Sequence, residues 1–392
     1  MSDRSRNFSL HVLSLAYFCM GTASLAVVGT LPRIAASLDL GEGCVAFLVS
    51  AFAVTFAASA PTLQMLVGHW SRKRLVLLGL ALLAAGTLGS ALVSSYPLLL
   101  AMRVIAAIGA AALGPGASAL GASLVTTEQR GHALAVVFSG MTIATVVGVP
   151  LSTWLGAAIG WRPTFVLIGL ATLAAAGLIA VFVEDGGPGQ RVNARDLFAT
   201  LVRPVTASGI VVMVLEMAGV FASYTMIVPM LRDRFLVGAE AVSAALMVYG
   251  LAGILGNLLV RRLARLWSAD RAVAVALLGL MSVFFALRFA PPQFPFALAI
   301  LVFWAIGSDV FMPSQQRRML ELAPQAGGLA LALNASAIYV GMAAGSFAAG
   351  SLAPVVGLGG LPLVSLTLLG ASFAALWMSR HVARRKHLGA VC

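Results

Sequence analysis

The chain has 392 residues, 60% of them hydrophobic and only 10% charged, with a formal net charge of +12. A water-soluble protein of this length would need far more charge to cover its surface. Apolar helices of roughly 20 residues, by contrast, cross the ~30 Å hydrocarbon layer and satisfy their own backbone. The composition excludes a water-soluble globular protein and predicts an all-α polytopic membrane protein.

Twelve spans are predicted, at 9–32, 43–67, 75–94, 97–124, 131–158, 163–183, 207–231, 240–260, 272–289, 296–313, 327–353 and 358–380. Their breaks are chemical: Arg72-Lys73-Arg74 after span two, Ser95-Tyr96-Pro97 after span three, the turn Gly160-Trp161-Arg162-Pro163 after span five, and Pro291-Pro292 after span nine. The first apolar run is too long for a signal peptide and reads as span one.

Lysine and arginine set the orientation. With both termini in the cytoplasm, the inner side holds Arg4, Arg6, the Arg72–Arg74 triplet, Arg130, Arg191, Arg195, Arg203, Arg261, Arg262, Arg265, Arg271, Arg317, Arg318, Arg380 and Arg384-Arg385-Lys386. The outer side holds Arg33, Arg162, Arg232, Arg234 and Arg288, a ratio of about 19 to 5. The basic balance therefore reflects topology in an inner (cytoplasmic) membrane and attraction to anionic headgroups, and nucleic acid is no partner. Cys19, Cys44 and Cys392 form no paired framework, the five histidines are scattered, and neither a metal-ligand spacing nor a phosphate loop occurs. No cofactor or metal is expected, no nucleophile–base spacing suggests an enzyme, and any transport runs on a gradient.

The hydrophilic stretch Glu184–Thr206, with Gly186-Gly187-Pro188-Gly189, divides six spans from six. This gives an N-terminal bundle at 1–183, a cytoplasmic linker at 184–206, and a C-terminal bundle with a basic tail at 207–392. The halves echo each other: Ala107-Ile108-Gly109 and Pro115 recur as Ala305-Ile306-Gly307 and Pro313, and Pro32 recurs as Pro229. Parallel repeats related by an axis along the membrane normal are a transporter architecture, with the substrate site between them.

Three formal charges lie well inside spans: Arg103, Glu216 and Asp309. Each costs about 2.5–3.5 kcal/mol on insertion scales unless it faces a cavity or partner, so each is a functional candidate. Glu216 sits about 15 Å into span seven at ~1.5 Å per residue, near the midplane, where a carboxyl is suited to proton exchange. Arg103 lies at a similar depth, close enough in height to pair with it. Asp309, near the inner end of span ten, either lines the inner mouth and receives a proton there, or snorkels or pairs with Arg317 or Arg318. In span five, Gly140, Gly148 and Gly156 share a helix face suited to close packing, and Pro150 permits a kink.

Several stretches resemble the major facilitator superfamily along essentially the whole chain. The segment from Pro61 through Gly68-His69-Trp70-Ser71-Arg72-Lys73-Arg74 to Gly79 aligns with the family's loop motif, whose usual form is Gly, three residues, Asp-Arg, one residue, Gly-Arg-Arg-Arg. The basic triplet matches. The motif's first Gly is Gln64 here, its Asp is Gly68, its Arg is His69 and its second Gly is Ser71. That Asp supports a latch in the family, so this chain latches differently or loosely. Arg103 with Gly109 matches the intramembrane arginine motif, and Gly140–Ser152, with its Gly148-Val149-Pro150 core, resembles the antiporter motif of the sugar-, nucleoside- and multidrug-efflux branch. Asn334 and the glycines from Gly341 to Gly350 resemble the family's span eleven. A span-one acid common in that branch is Ser24 here.

The resemblance implies a monomer with two six-helix bundles. Spans one, four, seven and ten line the cavity, with two, five, eight and eleven beside them. The candidate cavity residues are Tyr17, Phe18, Ser24, Phe221, Tyr224, Tyr249, Phe303, Trp304, Asn334 and Tyr339, an aromatic and hydroxyl surface suited to amphipathic solutes. Glu216, Arg103 and Asp309 are the proton-coupling candidates; Gly68, Arg72, Lys73, Arg74, Gly148 and Pro150 are the gating candidates. The leading reading is a proton-driven exporter of a small organic compound, with the proton gradient in place of a cofactor. A metabolite carrier for sugars, nucleosides or a small secreted product, and a non-transporting sensor or scaffold, remain alternatives.

Overall fold

The computed structural model describes residues 3–189 and 191–389, and the side chains of residues 5–189 and 191–383. Arg4, Arg384, Arg385, Lys386 and Cys392 of the reading above lie outside the described side chains. The helices are α1 (Asp3–Leu38), α2 (Glu42–Val67), α3 (Arg72–Leu92), α4 (Tyr96–Ser123), α5 (Arg130–Ile143), α6 (Val149–Ala158), α7 (Trp161–Phe182), α8 (Ala194–Leu201), α9 (Pro204–Tyr224), α10 (Ile227–Arg234), α11 (Ala239–Leu266), α12 (Ala269–Phe289), α13 (Phe294–Leu322), α14 (Gly327–Val356) and α15 (Leu361–Gly389). Twelve stretches are long and apolar enough to cross a membrane, with α5 and α6 joined into one of them. The short helices α8 and α10 stand outside that set.

Proline accounts for where the helices depart from the predicted spans. Span five does not run as one regular helix, because residues Ala144–Gly148 form a π turn. Pro150 has no N–H for the Val146 carbonyl and its ring crowds that oxygen; the chain widens, and Val149 donates to Ala144 instead. Span seven, predicted unbroken to residue 231, stops at Tyr224 and resumes at Ile227. Here the Pro229 ring crowds the Thr225 carbonyl, and the Thr225 hydroxyl is held by Phe221 O at 2.7 Å and Ser346 Oγ at 2.9 Å. Span ten, predicted to end at Pro313, runs on to Leu322. Pro313 lies inside α13 without ending it, and beside it Ser314 Oγ donates back to Val310 O at 2.7 Å. The predicted turn after span five is present, with Gly160 at φ 94°, a left-handed backbone suited to glycine.

Contacts divide the chain into two compact units, Met1–Val192 with Ala239–Met247, and Asn193–Gly238 with Val248–Cys392. In the first unit, α5 and α6 run beside α1 through small residues. A methyl on Gly140 would meet the Ser14 carbonyl, one on Gly148 the Thr22 hydroxyl, and one on Gly156 the Thr30 side chain. The α1 glycines answer in kind: Gly21 receives Met141 and Ala144, and Gly29 receives Ser152 and Thr153. With no hydrophobic drive between helices in lipid, such close approach is what holds them. The second unit repeats the device, with Gly341 and Gly345 of α14 against the backbone of α9 around Val214 and Ala218. The repeated Ala-Ile-Gly also has matching places: Gly109 of α4 faces Gly79 and Leu83 of α3, and Gly307 of α13 faces Leu280 of α12.

Candidate functional site

Each unit buries charge in a different way. In the first, Arg103 on α4 is fully buried. Its guanidinium donates to Ala23 O at 2.9 Å and Ser24 O at 3.1 Å on α1, and its carbon lies 4.5 Å from the centre of the Phe52 ring on α2. Its Nε has no hydrogen-bond partner. Ser24 thus serves Arg103 through its backbone, while its hydroxyl turns back to Met20 O at 2.7 Å. Charge-assisted bonds to two carbonyls, with a ring below, replace the missing counter-ion. One turn and more along α1, the Tyr17 hydroxyl donates to Gly114 O at 2.6 Å and meets Ser118 Oγ at 2.7 Å on α4, while Phe18 is half-buried.

In the second unit, Glu216 on α9 is also fully buried, and neither carboxylate oxygen has a hydrogen-bond partner among the described residues. Within its own unit each candidate is distinct: the arginine's bonds go to carbonyls, and the carboxylate has no partner among the described residues. Aromatic rings pack in the same unit. Tyr224, Tyr249 and Trp304 stand 5.5–6.1 Å apart, Phe221 lies 5.5 Å from Tyr224, and Phe284 lies 4.6 Å from Trp304. Trp304 and Tyr224 are buried within this cluster, whereas Phe303 is 65% exposed and stands outside it. Asn334 is buried with Oδ1 unpartnered, and Tyr339 is half-buried.

Asp309 is neither snorkelling nor paired with an arginine. Asn257 of α11 donates its amide to Asp309 Oδ1 at 2.5 Å. The side chain fits because Gly253 and Gly256 lack side chains: a methyl on Gly253 would meet the carboxylate, and one on Gly256 the Asp309 Cβ and the Ile306 backbone. The two arginines are committed elsewhere: Arg317 pairs with Glu321 at 2.9 Å, and the buried Arg318 with Asp270 at 2.7 Å, which also meets Arg380 at 3.2 Å. The second unit therefore holds the carboxyls of Glu216 and Asp309 within its spans together with an aromatic cluster, and the first holds the fully buried Arg103.

The loop motif has partners that sequence reasoning missed. Ser71 donates its hydroxyl to Asp185 Oδ2 at 2.5 Å, and Arg191 donates to His69 Nδ1 at 2.9 Å. Gly68 leaves its carbonyl against Gly189, which donates to Trp70 O at 3.0 Å. Arg72 donates through its side chain to Gly186 O at 2.6 Å and through its backbone to Gly187 O at 3.1 Å, and Lys73 caps α7 at Ala180 O, 2.8 Å away. All three departures around the motif's acid, at 68, 69 and 71, touch the linker. The Ser71 hydrogen bond holds the Asp185 carboxyl below the usual aspartate range. The only sequence signal for it was an acid beside the glycine-rich turn, which the linker's polarity concealed.

The family model described as Major Facilitator Superfamily matches residues 13–346. "Inner membrane transport protein YdhP" of Escherichia coli (strain K12) is 29% identical over 394 residues, covering 98% of each chain. "Chloramphenicol resistance protein" of Streptomyces lividans is 34% identical over 389 residues, 94% of this chain and 92% of the relative. Among solved structures, a bacterial homologue of the human lysosomal transporter Spinster matches with a TM-score of 0.80 at 15% identity, covering 97% of this chain and 98% of the other. The nucleoside transporter NupG matches with a TM-score of 0.78 at 13% identity, covering 96% and 99%. At these identities the two structures speak for the fold alone.

Proposed function

The chain belongs to the Major Facilitator Superfamily, a family of membrane transporters, and from that premise we propose that it exports a small amphipathic organic compound in exchange for protons. The observation that carries this reading is Glu216: a carboxyl buried near mid-span with no partner for either oxygen. An ionisable group left unpaired in the membrane interior is a functional site by default. Glu216 takes a proton arriving from outside and gives it up inside, and solute occupies the site when the proton has left. Asp309, held by Asn257 at the middle of the extended α13 and not near its inner end as expected from sequence, is the second exchanging carboxyl. Arg103 contributes a permanent positive charge in the other unit. The half-buried Phe18, Phe221, Tyr249 and Tyr339 offer rings and hydroxyls to the solute.

The relative named for chloramphenicol resistance supports a drug-like solute. The excess of inner-side arginine supports an inner-membrane topology with both termini in the cytoplasm. The protein works as a monomer.

The test uses energised inverted membrane vesicles with a pH-sensitive dye. Chloramphenicol, lipophilic cations, sugars and nucleosides are added in turn to vesicles holding the wild type or Glu216→Gln. The expected result is proton movement triggered by an amphipathic drug and lost in the variant. A response confined to sugars or nucleosides would move the assignment to metabolite export; an unchanged response in Glu216→Gln would remove the carrier role from this residue.

A further inference from the structure

The linker holds a structured element that the transport reading leaves unused. Val192 is the last residue of the first unit's linker contacts, and its N–H donates to Gln64 O at 3.5 Å. Immediately beyond it, Asn193 caps α8 by accepting from the Arg195 backbone at 3.0 Å. The helix packs against α9 and α14 of the second unit, and Thr200 is the side chain it buries.

The opposite face has no protein cover. Phe198 is 65% exposed, Leu201 36% and Val202 54%. Spaced i, i+3 and i+4, the three form one apolar stripe on the side of the helix away from Thr200. Arg195 lies beside the stripe and Arg203 follows its end; both are exposed, and neither side chain has a hydrogen-bond or ion-pair partner among the described residues. Arg203 also borders a cleft of about 130 Å³ between the start of α9 and the chain after α13, with Thr206 and Gln325 on its walls.

Depth decides what covers this face. Only Val202 and Arg203 separate α8 from Pro204, the first residue of the seventh membrane span. The three Cα–Cα steps from Leu201 to Pro204 reach at most about 11 Å. The headgroup zone on one side of a bilayer is itself about 5–7 Å deep. The tether therefore keeps the end of α8 at or beside that zone.

We propose that α8 lies in the inner headgroup layer as an interfacial helix, with Phe198, Leu201 and Val202 set among the upper acyl carbons and Arg195 and Arg203 binding anionic lipid phosphates. An apolar stripe flanked by arginine fits that partner in both chemistry and geometry. The inference rests on the cytoplasmic placement of the linker and not on the solute or the proton.

The experiment uses the full chain with Cys19, Cys44 and Cys392 replaced by serine and one fluorophore-labelled cysteine at Phe198→Cys. The protein is reconstituted in phosphatidylcholine bilayers carrying a fraction of either brominated phosphatidylglycerol or brominated phosphatidylcholine. Strong quenching at residue 198, weak quenching from Asp196→Cys on the other flank, and a preference for the anionic quencher are expected. Each of Arg195→Gln and Arg203→Gln should lower that preference about fivefold. Val202→Cys reports the same stripe should Phe198→Cys fail to accumulate. Absence of bromolipid quenching at both stripe positions would overturn the interfacial seat. Equal quenching by the two lipids, unmoved by the arginine variants, would overturn the anionic-lipid site. Neither result depends on transport, so failure here is separable from failure of the antiport reading.

Discussion

Replacing Gly148 by alanine tests whether the first unit is held by backbone-close packing. A methyl there runs into the Thr22 hydroxyl, with Thr22 Cβ at 3.1 Å and Cγ2 at 3.2 Å. Overpacking of this kind costs about 1–3 kcal/mol, against which alanine's better helix propensity returns about 1 kcal/mol. The single variant should be destabilised by about 1 kcal/mol, within ~0–2. Thr22→Ala removes the obstructing hydroxyl and Cγ2, and because that hydroxyl has no hydrogen-bond partner, nothing is left unsatisfied. The double variant should return to wild-type stability or above it, a coupling of about 1–2 kcal/mol in a double-mutant cycle. Gly140→Ala is the contrasting case: its methyl meets backbone, with Ser14 C at 2.8 Å and Phe18 N at 2.9 Å, and no side-chain change on α1 can make room. Thermal unfolding of the purified protein, followed by its tryptophan fluorescence, reads all four. If the double-mutant cycle shows no coupling between Gly148→Ala and Thr22→Ala, the close packing of α1 on the π turn is not what holds this unit.

The linker latch and the Asp309 seat make two further claims. The Asp185 carboxyl is held below its ordinary range by Ser71, so the latch should be present above the ordinary aspartate value of about 3.9 and lost as the pH falls below it. The protection of the Gly187 and Gly189 amides, taken as exchange relative to the intrinsic rate at each pH, should be high at neutral pH and fall on acidification; Asp185→Asn should lower it at neutral pH and abolish the acid step, and a pH-independent protection in the wild type would refute the latch. Gly253→Ala pushes a methyl into the Asp309 carboxylate and should break its bond to Asn257. The pH profile of compound-triggered proton movement should then shift in Gly253→Ala and Asn257→Ala alike, while a lower rate with an unmoved profile would mark both residues as structural only.

The energised-vesicle assay and the bromolipid assay address separate parts of the molecule. One asks what Glu216 does inside the second unit, and the other what α8 does at its edge. Their outcomes are independent because no residue serves in both.

The sequence by itself determined the class, the number of spans and the shortlist of charges. Hydropathy acts over ~20 residues at a time and needs no neighbour, so the twelve spans could be read directly. The glycine period in span five was equally legible, because a face repeated along one helix is a local property; its partners Ser14, Thr22 and Thr30 were not, since they belong to another helix. Tertiary structure alone decided who satisfies the buried charges. Arg103 turned to two carbonyls and Phe52, Asp309 to Asn257 across two glycines, and Glu216 to no group at all. It also brought Ser71 of the loop motif to Asp185 of the linker. Hydrogen bonds reach only about 3 Å and join residues from any part of the chain. The pairings therefore follow from how helices approach one another, which composition and periodicity do not encode.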